Sequence, residues 1–273
     1  ALYTATPLNK DLQSTFSTLG VSHLLAISGF HLGVLSALLF FFLKPSYSFF
    51  QNKYFPYRNS KFDIFLIISF ILFIYMLFLD SPPSLLRAFG MFIIGFILYD
   101  RGIKIISMQS LMLTVLLLIS FFPKLVFALG FWLSVSGVFY IFLYLLYFKD
   151  LSKVWQFVLL PFWVYVLMLP FSLAIFGNFS VYHPLSIVWT TLFSLFYPLS
   201  ILMHILGFSN LFDGLLHSFI NLSQNNSIDV ELSRNILLLH IGLSLLAIYS
   251  KRVIWGVLLL SSIIFIYAIY QVT

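Results

Sequence analysis

Residues 154–212 read VWQFVLLPFWVYVLMLPFSLAIFGNFSVYHPLSIVWTTLFSLFYPLSILMHILGFSNLF, 59 residues without one Asp, Glu, Lys or Arg. Soluble domains carry about 25% charged residues, whereas about 20 consecutive apolar residues suffice to cross a bilayer as a helix. The stretch is therefore membrane-embedded. Its Pro161, Pro170, Gly177, Pro184, Pro198 and Gly207 predict broken or re-entrant helices, because irregular backbone at that depth is tolerated where it lines a cavity or is buried in protein. Working outward, further charge-free runs cover Leu12–Leu43, Ile64–Leu79, Ile105–Pro123, Leu125–Phe148, Asn235–Ser250 and Val253–Thr273. The whole chain is 62% apolar and 8% charged. No ten-residue segments of alternating polarity are visible, which excludes a membrane β-barrel. The sequence predicts an all-α, polytopic integral membrane protein with about 8 to 10 crossings.

Lys and Arg set the orientation. With spans near 22–43, 62–79, 83–99, 105–122, 126–148 and 155–176 and the N-terminus outside, the inner loops hold Lys44, Lys53, Arg58, Lys61, Arg101, Lys104, Lys149 and Lys153. The outside keeps Lys10 and Lys124. This asymmetry satisfies the positive-inside rule. Lys251 and Arg252, between the last two spans at 235–250 and 253–271, are then also inside, so both termini are outside. Residues 177–234 must leave and return to the same side, by two crossings or a re-entrant dip. The expected organisation is one transmembrane domain over 1–273, with an external pre-helix segment at 1–20 and an external amphipathic segment at 209–234. With Ala1 first and no charged-then-apolar leader, the sequence reads as a piece of a longer chain.

Polar groups inside such a chain are functional candidates, because each must find a partner or line water. Ser22-His23-Leu24-Leu25-Ala26-Ile27-Ser28-Gly29-Phe30-His31-Leu32-Gly33 places two histidines in a charge-free run. Ser28 and His31, three apart, share a helix face. Gly29, Gly33 and Ala37 form a small-residue stripe that predicts close approach of another helix. Only twelve residues separate Arg87 from the next charge, Asp100, so a span of sufficient length must begin near Pro83 and carry the guanidinium about one turn inside the external interface. Ser134, Ser136 and Asn178 are further candidates. Thr190, Thr191, His204 and His240 fit structural roles better, since hydroxyls in spans usually bond back to their own helix.

Several chemistries are disfavoured. The sequence has no cysteine, hence no disulfide or thiolate site. It lacks both a G-x-x-x-x-G-K-[ST] loop and an H-E-x-x-H cluster, so no ATP hydrolysis, metal or other cofactor is expected. Ser28 with His31 invites comparison with an intramembrane hydrolase, yet Ala26-Ile27-Ser28-Gly29 is not a G-x-S-x-G elbow. From the residues alone, a channel, a permease or flippase for an anionic solute, and such a hydrolase remain open, with the enzyme least supported.

The stretch 22–33 resembles the S-H-L-L-A-[IV]-S-G-[LF]-H-[VL]-G signature of the ComEC competence family. Pro82-Pro83-Ser84-Leu85-Leu86-Arg87-Ala88 is similar to that family's P-x-x-x-R-A segment, and Gly130-Phe131-Trp132-Leu133-Ser134 to its G-F-x-L-S segment. Leu169-Pro170 through Pro198 looks like its later segment with paired prolines, without the asparagine usually seen before the second proline. The resemblance covers about residues 1–200 and implies a bacterial inner-membrane channel that passes single-stranded DNA into the cytoplasm during natural transformation. The polar residues His23, Ser28, His31, Arg87, Ser134, Ser136 and Asn178 are compatible with that function and are expected to line the DNA path. The implied partners are the strand, membrane lipid, an external DNA-delivery protein and a cytoplasmic motor. Family members often add an external OB-like domain and a nuclease domain. Neither is found within these residues, so transport without DNA cleavage by this chain is expected.

Overall fold

The computed structural model describes residues 15–16, 18–21, 29–80, 83–208, 214 and 228–272. Nine helices follow one another among them: α1 (Gly29–Tyr54), α2 (Ser60–Phe78), α3 (Pro83–Asp100), α4 (Met108–Phe121), α5 (Leu129–Tyr147), α6 (Lys153–Phe176), α7 (Ser186–Ile205), α8 (Arg234–Leu246) and α9 (Lys251–Val272). The expected all-α polytopic class is the observed one. Six helical stretches are long and apolar enough to cross a membrane: 31–54, 60–78, 129–147, 153–176, 183–204 and 251–272. At most 28% of the apolar window of each is buried inside the protein. Helices that are apolar all round and yet uncovered belong in lipid. α4 and α8, with 14 and 13 residues, are only about 20 Å long, short of the roughly 30 Å hydrocarbon core.

Local chemistry explains most boundaries. Asn59 caps α2 by accepting from the Lys61 N–H, Ser107 caps α4 by accepting from the Ser110 N–H, and Gly177 closes α6 in the left-handed conformation at φ 71°, which costs glycine little. α1 corrects the predicted span. It continues through Pro45 to Tyr54, so the expected inner loop shrinks to 55–59, because polar residues emerging from lipid keep helical bonding when a neighbouring helix supports them. Here α2 does so. The Arg58 guanidinium donates twice to the Asp63 carboxylate, at 2.7 and 2.6 Å. Tyr47 donates to the same carboxylate, and Gln51 donates to the Arg58 carbonyl. The carboxylate holds Arg58 above its ordinary pKa through these hydrogen bonds and charge attraction.

The expected interruptions of 154–212 are corrected at three of their six positions. Pro161 and Pro170 lie inside a continuous α6, and Pro198 inside a continuous α7. Gly177 and Pro184 do lie in a break, 177–185, where Asn178–Phe179 pairs antiparallel with Ile228–Asp229 and a 3-10 turn spans His183–Leu185, and Gly207 lies in the turn after α7 at φ 84°. Proline is tolerated in membrane helices because neighbours and local adjustments satisfy the freed carbonyl. Most of the predicted amphipathic segment 209–234 lies outside the described residues; its end, 228–233, is a two-residue strand and extended chain. Of the external pre-helix segment, the described Thr18 and Leu19 are buried, at 5% and 1% exposure.

Packing forms two groups. Leu32 of α1, Ile64, Ile68, Leu72 and Met76 of α2 and Leu85 and Ala88 of α3 make one core. Tyr140, Leu143 and Tyr144 of α5, Trp163 and Leu167 of α6, Ala247 after α8, and Ile254 and Val257 of α9 make the other. α4 packs between α3 and α5, and α7 touches both α1 and α6, so the two groups form one bundle.

Candidate functional site

The N-terminal ends of α1, α3 and α5 meet at one end of the bundle. An ideal Cβ on Gly29 would stand 3.6 Å from Ala88 Cβ, and one on Gly130 would stand 3.6 Å from Arg87 Nη1. The guanidinium therefore lies beside the α5 backbone, at a distance where an alanine methyl would make an ordinary contact. Arg87 is 8% exposed. Its Nε is buried without a hydrogen-bond partner among the described residues, and no carboxylate there pairs with it; the ion pair found among them is Arg58–Asp63. A cation held among apolar helices without a counter-ion is an expensive arrangement, and membrane proteins reserve such residues for ion or substrate paths.

His31, one turn into α1, is 1% exposed. Its ring meets Tyr197 edge-on at 4.5 Å and Phe193 at 5.5 Å, which joins α1 to the middle of α7. The two glycines it was grouped with behave differently. Gly33 has nothing within 4 Å of an added Cβ among the described residues, and Gly33 and Ala37 are exposed. The predicted packing stripe is thus corrected to a single close approach at Gly29, because Gly33 and Ala37 turn away from α3.

Three sequence segments therefore meet in turn, Gly29 beside Ala88 and Arg87 beside Gly130. A family model described as competence protein matches residues 5–272. The chain belongs to the competence protein family. The match runs to the end of α9, beyond the first 200 residues that carry the motif resemblance. At the level of the competence family, the role is in DNA uptake. No curated protein and no solved structure matches the chain.

The remaining candidates divide. His23 and Ser28 lie outside the described residues. Ser134 is four residues from Gly130 and shares its face, one turn deeper than Arg87. Ser136 is rotated by about 200° from Ser134 around α5, so the two serines cannot line one wall. Asn178 is half-buried in the short strand pair that follows α6. Thr191 bonds back to the Ile187 carbonyl and His204 to the Ser200 carbonyl, each four residues earlier, the self-satisfying role expected of them.

Sequence reasoning missed a buried polar cluster in the second packing group. His240 Nε2 lies 3.1 Å from the Leu167 carbonyl and 2.9 Å from the Tyr140 hydroxyl. A carbonyl only accepts, so Nε2 carries the hydrogen. Tyr140 then donates to Ser244 Oγ at 2.8 Å, and Ser244 donates to the His240 carbonyl at 2.7 Å. The indole of Trp163 donates to the Tyr140 carbonyl at 3.0 Å. His240 was a visible candidate, but one tyrosine hydroxyl among 15 carries no mark of its partner in a linear reading.

Proposed function

We propose that this chain is an inner-membrane channel that carries single-stranded DNA into the cytoplasm, with Arg87 as the first cation that the strand meets inside the bilayer. The observation that carries the reading is the buried Arg87 guanidinium lying beside Gly130, with no carboxylate partner among the described residues, where the N-terminal ends of α3 and α5 meet. A bare phosphate backbone does not cross hydrocarbon; its path needs water, donors and positive charge. Arg87 supplies the charge, and Ser134 continues the donor line on the same helix face. Competence-family membership and the membrane-crossing helices support transport rather than catalysis.

The positive-inside pattern sets the Arg87 end outside, facing an external DNA-delivery protein. It sets the opposite end in the cytoplasm, where a separate motor draws the strand inward. The packing agrees with grouping those cationic loops at one end: Lys61 Nζ reaches the Tyr99 hydroxyl at the end of α3, and Lys251 Nζ sits 5.4 Å from the Phe148 ring centroid after α5. The test is entry of labelled single-stranded DNA into cells carrying correctly inserted Arg87→Ala. The expected result is loss of cytoplasmic label with external binding retained. Normal entry in that variant refutes the reading, and loss of entry for a small anionic solute with DNA uptake intact replaces it with a permease.

A further inference from the structure

The end of α1 is unlike the rest of the bundle. α1 and α2 are clamped where Tyr47 and Arg58 both donate to Asp63, and beyond that clamp α2 is charge-free from Ile64 to Leu79. The clamp therefore marks the edge of the hydrocarbon. The seven further residues from Tyr47 to Tyr54 add about 10 Å of helix, more than the roughly 5 to 7 Å of headgroup layer on each side. The tip at 54–57 thus clears the lipid and stands in water, seated on the bidentate Arg58–Asp63 ion pair.

What this tip presents is aromatic and cationic. Tyr57 is 82% exposed, Tyr54 56% and Phe55 50%. Solvent-facing rings grouped in this way mark a contact surface. Residues 48–62 contain Lys53, Arg58 and Lys61 and no acid, and Lys53 Nζ lies 5.3 Å from the Tyr54 ring centroid. Beside the tip runs a cleft lined by Tyr47, Phe50, Gln51, Phe55 and Arg58. Membrane-interface aromatics belong at headgroup depth; these stand above it. An acidic partner protein would use the charges without needing bare rings. A single nucleic-acid strand uses both, since its phosphates meet cations while its bases stack on aromatic faces regardless of sequence.

We propose that the α1–α2 tip is a sequence-tolerant binding site for single-stranded nucleic acid, with Tyr54 and Tyr57 as stacking platforms and Lys53 as a phosphate contact. This rests on the channel reading above, in which the tip lies on the exit side and holds the emerging strand.

The experiment uses the full chain in nanodiscs of zwitterionic lipid and a fluorescent thymidine oligomer as probe. Tyr54→Ala with Tyr57→Ala is expected to weaken binding about tenfold or more, as loss of stacking does, while Tyr54→Phe with Tyr57→Phe retains it. An abasic oligomer of equal length should bind the unaltered protein more weakly, and Lys53→Gln should flatten the salt dependence. Unchanged affinity in the double-alanine variant overturns the proposal, as does equal binding of the abasic strand. Loss of binding to anionic vesicles with oligomer affinity intact assigns the tip to lipid and overturns it too. Arg87→Ala separates the two readings. If it abolishes DNA entry while the alanine pair leaves oligomer affinity unchanged, the tip proposal falls and the channel stands. If the alanine pair weakens binding but Arg87→Ala leaves entry normal, the tip site stands and the channel reading falls.

Discussion

Tyr140→Phe tests whether the polar cluster among α5, α6 and α8 holds the second half of the bundle together. The substitution keeps the ring, whose place is set by the surrounding core and by the Trp163 bond to the Tyr140 carbonyl, and deletes only the hydroxyl. Two hydrogen bonds vanish, to His240 Nε2 and to Ser244 Oγ. Neither partner is orphaned: His240 keeps the Leu167 carbonyl and Ser244 keeps the His240 carbonyl. The full penalty of an unsatisfied buried group, about 1 to 3 kcal/mol, therefore does not apply. Side-chain hydrogen bonds between membrane helices are worth about 0.6 kcal/mol on average and about 1.7 at most, so two give an expected loss of about 1 to 2 kcal/mol. The assay is reversible unfolding in mixed detergent–lipid micelles for Tyr140→Phe, His240→Ala and the double variant. The expected Tyr140–His240 coupling is about 0.6 to 1.7 kcal/mol. A coupling under about 0.3 kcal/mol, within the scatter of independent sites, refutes the claim that the cluster acts as one unit.

Three further perturbations separate packing from function. Gly130→Leu projects branches into the space of Arg87 Nη1, which lies 3.6 Å from an ideal Cβ; DNA entry should fall at least tenfold while membrane insertion measured by protease protection stays normal, and Gly130→Ala should be tolerated. His31→Ala removes a ring that meets Tyr197 and Phe193 edge-on, at a cost of about 0.5 to 1.5 kcal/mol per lost aromatic contact; His31→Phe should restore the unfolding midpoint, and DNA entry that also recovers with Phe would limit His31 to packing. Gly90→Ala places a Cβ 2.6 Å from Leu118 Cδ2, so α3 and α4 should lose about 1 to 3 kcal/mol through overpacking, and Leu118→Ala in the same chain should recover part of it in the same unfolding assay.

Much of the architecture was legible in the linear chain because the bilayer imposes a local rule. Charge-free runs of bilayer length became helices: Ile64–Leu79 became Ser60–Phe78, and Leu125–Phe148 became Leu129–Tyr147. Arg87 stood out because the spacing to Asp100 left it nowhere else to go. Proline and small-residue patterns were less reliable. Pro161, Pro170 and Pro198 broke no helix, because a proline inside a membrane helix is tolerated through local adjustment and neighbours that a one-dimensional pattern does not contain, and Gly33 and Ala37 packed against nothing described, because a stripe states what is possible and not which side a partner takes.

Hydropathy and the placement of lysine and arginine, each a property of a residue and its solvent, decided by themselves that this chain is a multi-pass helical membrane protein. Tertiary structure alone decided that Arg87 lies beside Gly130 with no counter-ion among the described residues, that His31 meets Tyr197, and that Tyr140 bonds to His240 a hundred residues away. The physical reason is that transfer from water to lipid is paid residue by residue, whereas a hydrogen bond or ring contact requires two distant helices to arrive at one place in one orientation.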